Sequence, residues 1–113
     1  MIRRIFLLEA VRNLDVSKAA AVAPITTVFD ENRRRGEGLF DPRFRNEELP
    51  KALAYWNFDP SQDAILMAGH TVVTVMAIAN VVAEYGYANV MFFNSVDRDY
   101  TLTTVGDMHA ARS

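Results

Sequence analysis

Between Asp63 and Asn94 the chain reads DAILMAGHTVVTVMAIANVVAEYGYANVMFFN. A short apolar run ends at Gly69, a long one ends at Gly86, and a second short run follows. Short apolar runs bounded by turn residues suit buried strands, and a run of roughly ten or more suits a helix. The pattern predicts a strand over Ala64–Ala68, a helix over Thr71–Tyr85 and a strand over Asn89–Asn94. Gly86 is placed to cap the helix in a left-handed conformation. Such a unit joins two parallel strands by a right-handed crossover. This segment commits the chain to an α/β sheet more firmly than any other.

The flanking sequence extends that sheet. Ile2–Ala10 is rich in Ile, Phe and Leu and predicts a first strand. Asp15 can cap a short helix through Val22, which Pro24 ends. Ile25–Asp30 is β-branched and aromatic, a second strand. Asn46 is expected to cap another helix, with Glu47 and Glu48 in its first turn and Pro50 tolerated early. Leu49, Ala52, Leu53 and Trp56 recur at the spacing of one buried helical face, and Phe58-Asp59-Pro60-Ser61 ends it. Val96, Asp97 and Arg98 turn the chain into a last strand, Tyr100–Val105, antiparallel to its neighbour. The expected fold is α/β: one small domain over 1–105 with a mixed sheet of about five strands. It has a parallel strand–helix–strand crossover, a C-terminal antiparallel hairpin and helices packed on the sheet. Residues 31–45 form a long Arg-rich loop and 106–113 a frayed tail; strand order is left open.

Composition narrows the chemistry. There is no cysteine, which excludes disulfides, thiolate catalysis and Cys-ligated metal centres. A net charge of −2 gives no overall field toward nucleic acid or acidic lipid. Glu9 breaks the apolar run of the N-terminal segment, so it does not read as a secretory leader. Ala64–Ala83 carries no formal charge and is long enough to span a bilayer. Gly69, His70, Thr71, Thr74 and Asn80 interrupt it, and Asp63 and Glu84 flank it, so no membrane span is expected. A cytoplasmic protein is expected.

Three constellations bear on function. Gly69-His70-Thr71 lies where a strand meets its helix, the place where open α/β sheets bind ligands. There Thr71 can cap the helix or bond a phosphate, and His70 can hold or shuttle a proton. A single glycine is no dinucleotide or Walker fingerprint, and no cofactor is expected. The acids Glu9, Asp30, Asp59 and Asp63 would bind magnesium or do acid–base work only if they converged. With two histidines, His70 and His109, no metal site is expected. Arg33, Arg34, Arg35, Phe40, Arg43, Phe44 and Arg45 form an arginine- and aromatic-bearing loop, a composition suited to protein contacts. It also suits single-stranded nucleic acid, but Glu31, Glu37, Asp41, Glu47 and Glu48 balance its charge, so nucleic acid is not favoured.

The helix Thr71–Tyr85 carries apolar residues most of the way round, whereas a helix on one face of a sheet needs only a stripe. Either the second helix and the long loop cover the surplus, or another subunit does. From Phe58 onward, Asp59-Pro60, Asp63, Gly69, Asp97-Arg98 and Tyr100 fall in a pattern that resembles the C-terminal half of small phage- and prophage-encoded α/β proteins of unassigned role. That resemblance implies no catalytic residue and points to an accessory protein that works by binding. The leading expectation is a non-enzymatic interaction protein, phage-encoded, acting in the host cytoplasm on a host protein or as a small homo-oligomer. The alternative is a nucleotide- or phosphate-binding domain, such as a phosphodiesterase or nuclease, using Gly69-His70-Thr71.

Overall fold

The structure is a computed structural model and describes residues 2–9, 15–29 and 43–107, with the side chains of residues 44 and 45 outside that description. Among the described residues there are five strands: β1 (Arg4–Glu9), β2 (Ile25–Phe29), β3 (Asp63–Leu66), β4 (Tyr87–Asn94) and β5 (Asp99–Gly106). The α-helices among the described residues are α1 (Ser17–Ala20), α2 (Leu49–Tyr55) and α3 (Thr71–Tyr85). The sheet order is β2-β1-β3-β4-β5, with every pair parallel except the β4–β5 hairpin. This is one of the common orders of doubly wound sheets, with the last strand reversed. The expected α/β class, mixed sheet, crossover and hairpin are all present.

The alternation of β1 divides the core in two. Phe6 and Leu8 face α2 and α3, joined by Phe29, Leu49, Leu53, Ile65, Val73, Ala77, Val81 and Val90. Ile5 and Leu7 face the other way and pack with Leu66, Met91 and Ala19 of α1. α1 has four residues, so among the described residues this second face has much the smaller helical cover. Asp15 stands just before it and accepts from the Ser17 N–H at 2.9 Å, an Asx turn.

Several boundaries differ from the sequence expectation, each for a local reason. Asn46 does not cap the second helix. Arg43 is already helical and Phe44–Glu48 forms a wide π-type turn that runs into α2, so positions 43–45 belong to the helix and not to the loop. Pro50 has no N–H for the carbonyl of Asn46 four residues back, and its ring crowds that carbonyl. The widened turn ahead of it absorbs the conflict. At the other end, α2 stops at Tyr55 and Trp56 is partly exposed in the following turn. Phe58 fills the core instead, its ring edge-on to Phe6 with centroids 5.2 Å apart. Gly106, expected in the tail, closes the β5 ladder opposite Tyr87.

The apolar run Ala64–Ala83 is split between β3 and α3, and no helix among the described residues is long and apolar enough to cross a membrane. α3 begins and ends as expected, with Gly86 at φ 89° donating its N–H to the Val82 carbonyl. The stripe Val73, Thr74, Ala77 and Val81 is buried. Met76, Ile78, Val82 and Tyr85 are partly buried against the same core. On this helix Val75, at 51% exposure, is the large apolar side chain left open. Packing against α2 and the sheet thus uses most of the surplus within one chain.

Candidate functional site

The strand order creates a switch point. The chain leaves β1 toward β2 on one side and returns to β3 on the other, so connections diverge beyond the carboxyl ends of β1 and β3. Gly69-His70-Thr71 sits there. Gly69 has φ +77°, and a side chain on it would run into the Glu9 carbonyl. The His70 N–H donates to that same carbonyl at 3.0 Å, fastening the turn to the end of β1. His70, not Thr71, is the N-cap: its Nδ1 accepts from the Val73 N–H over a long 3.5 Å. The His70 carbonyl accepts from the Thr74 N–H at 3.1 Å and from its Oγ1 at 2.8 Å. Thr71 is the first residue of α3 and is exposed. Extended backbone at His70 puts its ring over the first turn, the geometry that capping requires.

The space beside this turn is small. The cavity lined by Met67, Ala68, Gly69, Thr71 and Thr74 has a volume of about 50 Å³. A nucleotide-sized ligand occupies a pocket of roughly 300 Å³ or more. One feature here was not legible as distinctive in the sequence. Glu9, at the end of β1, is 4% exposed and its Oε1 has no hydrogen-bond partner among the described residues. A buried acceptor left unmatched is costly and calls for a donor rather than for an anion. The apolar run around Glu9 was the available signal, since a carboxylate at the buried end of a strand needs a reason.

The other acids do not join it. Asp63 lies at the opposite end of its strand, fully buried, and accepts from Arg4 Nε at 3.1 Å and Nη2 at 2.9 Å. It also accepts from the Asp59 N–H at 2.7 Å. Asp59 in turn holds the Ser61 Oγ at 2.7 Å and N–H at 2.9 Å, and these bonds, the hydroxyl first, lower its pKa. Both residues are therefore turn and anchor groups. Asp30 and His109 lie outside the described residues. Among the described residues no three His, Asp or Glu side chains gather as metal ligands would.

A groove of about 310 Å³ runs between α2 and α3, lined by Leu53, Phe58, Val81 and Tyr85 with Lys51 and Glu84 at its rim. Burial, then the neighbouring Glu84, raises the pKa of Tyr85. Of the arginine-loop positions, Arg33, Arg34, Arg35 and Phe40 lie outside the described residues, as do the side chains of Phe44 and Arg45. Arg43 is exposed and pairs with Glu47 one helical turn on, at 3.4 Å.

The second candidate surface is the edge of the sheet. β5 has eight residues and is the outermost strand beside β4. Its ladder alternates, so half of its main-chain N–H and C=O groups point away from β4. Between Tyr100 and Val105 it has no charge, no proline and no glycine. Pairing with β4 runs unbroken from Asn94↔Asp99 to Tyr87↔Gly106, with no bulge to twist the edge away. Natural edges are usually blunted by such devices. Beside it, Phe93 is 48% and Leu102 46% exposed on the thinly covered face, and Phe93 meets Tyr100 edge-on at 5.6 Å. The sequence showed the hairpin but not that its second strand would be an edge. No protein family, no curated protein and no solved structure matches the chain.

Proposed function

We propose that this protein acts by binding other protein chains, not by catalysis, and that β5 is the binding element. The observation that carries the reading is an edge left unguarded among the described residues: an eight-residue strand, uncharged from Tyr100 to Val105, with open main-chain groups and half-exposed apolar side chains at Leu102 on it and Phe93 beside it. An extended segment added there gains main-chain hydrogen bonds along the strand and apolar contact with Leu102 and Phe93. The likeness to phage-encoded α/β proteins supports an accessory role in the host cytoplasm, with either a host protein or a second copy as partner. The test pairs light scattering with capture by the tagged chain from extract of its source cells, each repeated with Leu102→Lys. A mass above the monomer, or one captured protein, lost in the variant, supports the reading. A monodisperse monomer that captures nothing overturns it.

A second reading has one observation in its favour: Gly69-His70-Thr71 does lie at the switch point beside the ends of β1 and β3. A nucleotide or phosphate ligand there would raise the melting temperature in a ligand panel, and His70→Ala and Thr71→Val would abolish the rise. No shift at millimolar ligand removes it.

A further inference from the structure

We infer that the partner on β5 is a second copy of this chain, added antiparallel about a two-fold axis that passes beside Leu102. The inference rests on the reading of β5 as the binding element and names its occupant.

The first support is a row of side chains that stops short. Leu66 of β3 stands opposite Met91 of β4, which stands opposite Leu102 of β5. Their exposures are 0%, 3% and 46%, so an apolar row that starts in the core ends in solvent. A further strand continues the row only if it brings an apolar residue opposite Leu102. A two-fold axis at Leu102 does this with Leu102 of the second copy, and the row then runs from core to core.

The second support is register. Residues directly opposite in an antiparallel pair share a face, so the two-fold axis must pass beside a residue rather than between two. An axis at Leu102 or at Thr103 keeps nearly all of Asp99–Gly106 paired, and any other residue shortens the ladder. At Thr103, Asp99 would face Asp107 of the other chain, and like charges directly opposite destabilise a sheet. At Leu102, Thr101 faces Thr103, Tyr100 faces Thr104 and Asp99 faces Val105, so no like charges are opposed within the strand; Asp97, which this axis sets level with Asp107, lies in the turn before β5. Thr–Thr and aromatic–β-branched neighbours are favourable cross-strand pairs.

The third support is the absence of a selector on the edge. No charged side chain lies between Tyr100 and Val105 to choose a foreign segment by its sign. Self-pairing needs only symmetry, and an isologous contact closes the open edge of both copies at once.

The experiment is sedimentation of the full chain at micromolar to millimolar concentration, with folding of each variant checked by far-ultraviolet circular dichroism. The wild type is expected to be a dimer. Leu102→Lys and Leu102→Glu, at a half-exposed position, are each expected to weaken it by about tenfold or more. An equimolar mixture of the two is expected to restore a dimer, because on this axis the lysine meets the glutamate. Thr103→Lys serves as a second disrupting variant should either Leu102 variant fail to fold. A monomeric wild type, a dimer indifferent to these variants, or a mixture that stays monomeric overturns the inference. If the wild type is monomeric yet captures a protein that Leu102→Lys loses, the edge still binds and only the identity of the occupant falls.

Discussion

At the scale of single residues, the decisive positions are those where backbone geometry leaves no alternative. Gly69 combines φ +77° with a backbone contact that a side chain would violate. Left-handed geometry alone costs an L-residue about 1–2 kcal/mol, and displacing the end of β1 adds to it. Gly69→Ala is expected to lower stability by more than about 2 kcal/mol, read from urea unfolding. Asp59 supplies a pH signature. Its folded-state pKa lies below the ordinary value because Ser61 donates to its carboxylate from hydroxyl and backbone. Its contribution is therefore complete above the unfolded-state pKa and is lost as pH falls through the lowered folded-state value. Asp59→Asn is expected to flatten the fall in melting temperature on acidification below about pH 4. An unaltered acid limb would show that the Ser61 bonds do not hold the carboxylate in solution.

At the scale of elements, the open apolar surface lies on β5 and not on α3, where the sequence suggested it. The apolar circumference of α3 points to an outside partner, yet α2 and the sheet cover it until Val75 is the large apolar side chain that remains open. β5, read from the sequence as the second strand of the hairpin, is the edge of the sheet. Val75→Lys is accordingly expected to leave both stability, within about 0.5 kcal/mol, and solution mass unchanged. A drop in mass on Val75→Lys would move the contact surface from β5 to α3. The extent of Thr71–Tyr85 and its Gly86 cap were legible because both are local, although the N-cap is His70 and not Thr71. The start of the second helix was not, because Pro50 imposes a widened turn whose cost depends on geometry upstream of it.

At the scale of the whole molecule, the strand order sorts the acids that the sequence left as an undivided group. Asp63, tied to Arg4, lies at the amino end of β3, and Glu9 at the carboxyl end of β1, beside the switch point. The Glu9 Oε1, unmatched among the described residues, is a cost borne next to the apolar run Ile5–Leu8 of β1. Glu9→Leu, close in volume, is expected to raise stability by about 1 kcal/mol. Such a gain would mark Glu9 as retained for something other than folding, and a loss would show that the carboxyl makes a bond the fold depends on.

The sequence by itself determined the α/β class, the β3–α3–β4 crossover and the terminal hairpin, because hydrophobic period, glycine caps and turn residues act over a few neighbours. Tertiary structure alone decided which strand became the edge, which apolar surface was spent on the core and which carboxylates shared an end of the sheet. These depend on strand order, which is set by packing between segments far apart in the chain. No local pattern encodes which side of β1 each crossover takes.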